Sequence, residues 1–96
     1  MVITTLEAHV APEKAAVLEA EFKQAVQKLD TGIVQTFLLR GARDTDRWQI
    51  VTVWESREAL DAMRNSGETP RGVLILRAAG AEPALSVFGV VAQGAA

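Results

Sequence analysis

Read as an extended strand, the stretch from Arg47 to Glu55 is apolar on both of its sides. Period-two alternation puts Trp48, Ile50, Thr52 and Trp54 on one face and Val51 and Val53 on the other. A strand of that kind belongs to a sheet that needs cover front and back. The C-terminal segment from Leu85 to Ala92 repeats the pattern, with Leu85, Val87 and Val91 on one side and Phe88 and Val90 on the other. The rest of a chain of only 96 residues, or a partner, must cover the two faces.

The remaining segments supply cover for one face. Val2 to Val10 is a first strand, rich in β-branched residues that suit a pleated sheet. Pro12 sits at a first helical position, and Ala15, Leu18, Phe22, Ala25, Val26 and Leu29 then recur as one helical stripe. Asp30, Thr31 and Gly32 end that helix. Ile33 to Arg40 is a second strand, joined to the third by the polar turn 41–46. Ser56 is the N-cap of a second helix with Ala59, Leu60 and Met63 inward. Thr69 and Pro70 open a third helix to about Ala79, closed by Gly80, although Val73 to Leu76 also fits a buried strand.

The order is β-α-β-β-α-(α)-β over residues 1–96, a single α+β domain of ferredoxin-like type. Its antiparallel sheet carries helices on one face. The second face then stays apolar and bare unless a second copy packs against it sheet to sheet. A homodimer is therefore expected, and an apolar content of 49% in so short a chain is in keeping with it.

Composition narrows function mostly by exclusion. A net charge of −2 from 10 basic and 12 acidic residues gives no footprint for nucleic acid or an anionic membrane. Without cysteine there is no disulfide, iron–sulfur cluster or thiol nucleophile. One histidine and no cysteine make no metal constellation. No apolar run of membrane-spanning length occurs, and Met1 to Val10 lacks the basic start and apolar core of a signal peptide, so cytoplasmic residence is the expectation.

Trp54 is the first candidate for chemistry, because an indole ring orients an aromatic ligand and its N–H donates to an oxyanion. His9, the one histidine, shares a strand face with Glu7, which would orient it as a base. Arg71 and Arg77 flank an apolar run, and either would bind a phenolate or carboxylate through its planar fork. Each also has a plain structural reading, as core tryptophan, surface histidine or solvated helix face.

The segment Val51-Thr52-Val53-Trp54-Glu55-Ser56-Arg57-Glu58-Ala59-Leu60 resembles the hallmark of the antibiotic biosynthesis monooxygenase family. There a strand ends in Trp-Glu-Ser and a helix follows at once. The resemblance extends to the element order, to a Gly before the second strand, and to a late Pro, here Pro83. It implies a dimeric α/β barrel whose protomers each hold a pocket between sheet and helices. It further implies a cofactor-independent oxygenase acting on a small phenolic or quinol-type ring. In such enzymes the pocket uses an Asn, the motif Trp, a Tyr and a later Arg. Those positions hold Ile50, Trp54, Leu60 and about Leu74, with Arg71 and Arg77 a turn away. In the haem-degrading branch, the Asn, Trp and His positions read Leu6, Met63 and about Val73. The expected pocket is therefore Leu6, Ile50, Trp54, Leu60, Met63 and Leu74, with no bound cofactor. A non-catalytic ligand-binding or accessory dimer, or an isomerase of the same fold, is the alternative.

Overall fold

Strand and helix periods alternate along the chain, and the computed structural model, which describes residues 1–96, places the switches close to where the sequence puts them. The strands are β1 (Val2–His9), β2 (Ile33–Arg40), β3 (Arg47–Trp54) and β4 (Ala84–Gly89). The helices are α1 (Ala15–Ala25), entered through a 3₁₀ turn at Pro12–Lys14, α2 (Arg57–Asn65) and α3 (Arg71–Ala78). The four strands form one antiparallel sheet in the order β2-β3-β1-β4. That is the ferredoxin-like arrangement, with β1 and β3 central. No helix is long and apolar enough to cross a membrane.

Parity decides what each strand buries. Val2, Thr4, Leu6 and Ala8 of β1, and Trp48, Ile50, Thr52 and Trp54 of β3, all face the helices and are buried. The intervening Ile3, Thr5, Val51 and Val53 are half-buried on the other face, where β2 adds Phe37 and Leu39 and β4 adds Phe88. The single chain leaves that face open.

The core beneath the helices has two parts. The larger joins Leu6, Val10, Trp48 and Ile50 to Leu18 of α1 and to Ile75 and Leu76 of α3. The smaller joins Val2 and Trp54 to Leu60 of α2. Capping explains why α2 starts where it does. The Ser56 hydroxyl accepts the Ala59 N–H at 3.1 Å.

Several boundaries differ from expectation. α1 ends at Ala25 rather than near Leu29, because its last turn tightens into 3₁₀ bonds, Gln27 N–H to Gln24 C=O and Lys28 N–H to Ala25 C=O. Residues 71–78 are helix, not strand, and Pro70 rather than Thr69 occupies the N-cap, with no side-chain cap bond. β4 stops at Gly89, short of Ala92, because its partner β1 begins at Val2 and the last bond is Val90 N–H to Met1 C=O.

Candidate functional site

A cavity of about 140 Å³ opens between the two core clusters, bounded by the sheet below and the three helices above. Leu6, Ile50 and Ile75 reach it from the larger cluster, and Trp54 and Leu60 from the smaller. α1 contributes Phe22 and Ala25, and the chain that follows it contributes Val26 and Leu29. Gly72 lies at the wall with no side chain, and a Cβ there would come 2.6 Å from Leu6 Cδ1. Its absence is part of what leaves the space open.

Val26, Leu29, Arg64 and Arg71 are lining residues that also reach solvent, so they mark the mouth. Arg71 is held there by three acceptors. Its Nη1 donates to the Lys28 carbonyl at 2.5 Å and to the Ala25 carbonyl at 3.4 Å, and its Nη2 lies 3.2 Å from Asp30 Oδ1. The Ala25 carbonyl, at the end of α1, also takes the Lys28 N–H, and Lys28 closes the turn that follows, so Arg71 braces the C-terminal end of a neighbouring helix from the side. Arg64 has no carboxylate partner.

The floor is polar in one place. Thr4, Thr52 and Thr36 stand side by side across β1, β3 and β2, in direct register, and all three line the cavity. The Trp54 indole Nε1 donates to Thr4 Oγ1 at 3.1 Å. Thr36 Oγ1 lies 3.0 Å from Thr52 Oγ1 and 3.2 Å from the Val51 carbonyl. No charged group reaches the floor, since the ionisable lining residues are Asp30, Arg64 and Arg71 at the mouth.

The structure gathers Leu6, Ile50, Trp54, Leu60, Met63 and Arg71 of the expected site around this cavity. It does not bring in Leu74, His9 or Arg77. Leu74 is 51% exposed on the outer side of α3, and its neighbours Val73 and Ile75 line the cavity instead. Leu74, the position that the family pattern implies, is one residue off the helix face that turns inward. His9 projects from the open sheet face, exposed, with Nδ1 3.9 Å from Asp44. Its expected partner Glu7 is engaged by Arg47 Nε instead. Arg77 forks onto Glu82 through Nε at 3.1 Å and Nη2 at 2.9 Å, outside the cavity. That pair, held first by its hydrogen bonds, lowers the Glu82 carboxyl below its ordinary value and raises the Arg77 guanidinium above its own.

Trp48 belongs to the core, 3% exposed, with the Arg40 guanidinium 4.8 Å over its ring. The residues that sequence reasoning missed are the threonines. A threonine inside a strand reads as a β-former, and only cross-strand register reveals that three of them meet. No group of three or more His, Cys, Asp or Glu side chains is placed to hold a metal ion.

No curated protein is significantly similar to the chain in sequence. Solved structures match over the full length. A candidate antibiotic biosynthesis monooxygenase from Deinococcus radiodurans superposes with a TM-score of 0.72 at 16% identity, covering 100% of this chain and 98% of the other. A second candidate, from Nitrosomonas europaea, gives 0.69 at 15% identity, over 96% and 100%. MhuD, a heme degrader from Mycobacterium tuberculosis solved with two hemes in its active site, gives 0.72 at 25% identity, over 99% and 100%. The family model for antibiotic biosynthesis monooxygenase matches residues 1–71, from β1 through the Trp54-Glu55-Ser56 corner to the start of α3. On that match and this fold, the chain belongs to the antibiotic biosynthesis monooxygenase family.

Proposed function

We propose that this chain is a cofactor-independent monooxygenase acting on a small phenolic or quinol-type ring. The observation that carries the reading is the cavity itself. At about 140 Å³, lined mainly by apolar side chains, it is the size of a void that accepts one benzene ring, about 150 Å³ in a known engineered case. One ring of an electron-rich substrate sits over Trp54, Leu6 and Ile50, beneath Leu60 and Met63, with any further rings toward the mouth. An anthrone-like substrate enters as the anion left when its ring CH₂ gives a proton to solvent, and desolvation in the cavity makes that anion reactive toward dioxygen. A carbon–oxygen bond forms at that carbon, and the peroxide oxygen takes back a proton from solvent, giving a hydroperoxide. Its O–O bond then breaks with loss of water, leaving a carbonyl. One oxygen atom stays in the product, the other leaves as water, and the substrate supplies the electrons. The protein's part is to position the ring, exclude water and orient the reacting oxygen.

Heme, the group bound by the mycobacterial neighbour, does not fit this site. No His, Cys or Tyr lines the cavity, and the one histidine is on the other face of the sheet. A binding module without chemistry is the second reading, favoured by an interior whose polar groups are all neutral. Oxygen uptake by the purified protein, without added metal or flavin, across hydroquinones and anthrone-like phenols separates the two. Uptake that depends on Trp54 supports the oxygenase. Ligand binding with no uptake on any compound moves the assignment to the binder.

The active form we propose is a homodimer. Ile3, Phe37, Leu39, Val51, Val53 and Phe88 make the open sheet face apolar, with Phe88 55% exposed. A second copy packed sheet to sheet covers the same patch on both protomers. Sedimentation of the wild type as a dimer, and of Phe88→Glu as a monomer, is the expected result. A monomeric wild type refutes it.

A further inference from the structure

The threonine row contains an unspent hydrogen bond, and counting hydrogens locates it. A hydroxyl has one hydrogen and two lone pairs. The Val51 carbonyl only accepts, so the Thr36 hydrogen goes there, at 3.2 Å. The 3.0 Å contact between Thr36 and Thr52 is then a donation from Thr52. At the other end, Thr4 Oγ1 accepts from Trp54 Nε1 at 3.1 Å, and no acceptor within the chain takes its own hydrogen. Thr4 and Thr52 are each 9% exposed at the cavity floor, so once a ligand displaces water from the cavity the idle donor must find its acceptor on that ligand.

The geometry points to Thr4 and Thr52 as the pair that reads a single oxygen on the ligand's ring. Thr4 donates to that oxygen, whether it belongs to a phenol, a phenolate or a ring carbonyl. A phenol's own hydrogen then goes to the free lone pair of Thr52. The donation from Trp54 polarises the Thr4 hydroxyl and makes it a better donor. Trp54 is thereby a positioning residue. Its N–H is committed to Thr4 and reaches the ligand only through it. The ligand enters oxygen-first, and the arginines at the mouth are left to its far end. The inference rests on the reading that the cavity holds one ring, and it assigns how that ring is oriented and selected.

Calorimetric titration of the purified protein with p-cresol and with p-xylene, which replaces the hydroxyl by a methyl group, tests it. The expected preference for p-cresol is on the order of tenfold, the worth of one buried hydrogen bond. In Thr4→Val the preference falls to about parity while p-xylene still binds, and Thr4→Ser restores it. Trp54→Phe, which keeps a smaller aromatic ring but has no N–H for Thr4, weakens the preference without abolishing p-xylene binding. Should Thr4→Val not fold, Thr4→Ser and Trp54→Phe carry the comparison. Equal binding of the two compounds by the wild type, or a preference that survives Thr4→Val, overturns the inference and leaves the cavity reading standing. Binding of neither compound overturns both.

Discussion

The Trp54 indole N–H and the Thr4 hydroxyl meet at 3.1 Å, one residue pair diagonally across the β1–β3 ladder, where Val2 faces Trp54 and Thr4 faces Thr52. The bond ties the motif tryptophan to the sheet, and it distinguishes the two tryptophans of β3. Trp48 is as deeply buried, yet its Nε1 has no partner.

That contrast predicts unequal costs for the same substitution. Trp54→Phe strands the Thr4 oxygen as well as shrinking the ring, and should cost about 2–3 kcal/mol. Trp48→Phe removes a buried donor that is already unsatisfied, so its cost should be about 1 kcal/mol smaller. Urea midpoints of the two variants check this. Equal losses would mean that the Trp54–Thr4 bond adds nothing beyond packing.

Gly32 carries φ +92°, and a Cβ built there would lie 2.6 Å from the Ala59 Cβ, while its carbonyl accepts the Glu55 N–H at 2.9 Å. The turn before β2 is thus pressed against the start of α2. Gly32→Ala meets both backbone strain and a clash that neither side can relieve by rotating. A loss of about 2–4 kcal/mol is expected. Thermal or denaturant unfolding measures it, with a much smaller loss for Gly67→Ala, where positive φ is present but nothing lies within 4 Å.

The architecture was legible because its signals are local. Period-two and helical periodicities, the Ser56 cap and the positive-φ glycines Gly32 and Gly80 each mark an element from within a few residues. The site was legible only where one strand face carried it, as with Leu6, Ile50 and Trp54. Thr4, Thr36 and Thr52 escaped notice because their meeting depends on pairing between three strands distant in sequence. Leu74 was misplaced for a related reason. Which face of a short, mostly apolar helix turns inward is set by its neighbours, here by packing on α1 and the cavity wall, and not by its own pattern.

The two candidate arginines should part company in mutation. Arg71→Ala removes the side-on brace of α1 and its contact to Asp30, so amide exchange at residues 26–31 should quicken. The pair is well exposed, so the global loss should be about 0.5–1 kcal/mol. Arg77→Ala should leave ligand affinity within error, because its partner is Glu82 and both lie outside the cavity. Its signature is in pH instead. The Glu82 carboxyl is lowered in the folded state, so its stabilisation is present above the ordinary carboxylate range and is lost as pH falls through the lowered value. Wild type and Glu82→Gln should accordingly differ slightly at neutral pH and converge in strong acid.

Ser56 links capping to the site. Its hydroxyl satisfies the Ala59 N–H at 3.1 Å and fixes the first turn of α2, which carries Leu60 and Met63 into the cavity wall. Ser56→Ala should cost about 1 kcal/mol. Because α2 packs on a three-residue cluster of its own, the loss should be felt locally before it is felt globally. Hydrogen exchange should show loosened amides at residues 57–61 with the α1 and α3 amides unchanged. Affinity for a single-ring ligand should fall severalfold, and Ser56→Asp, which keeps a capping oxygen, should retain most of it. If α2 loosens while affinity stays at the wild-type level, then Leu60 and Met63 do not bear on the ligand, and the cavity's working wall is Trp54, Ile50 and Leu6 alone.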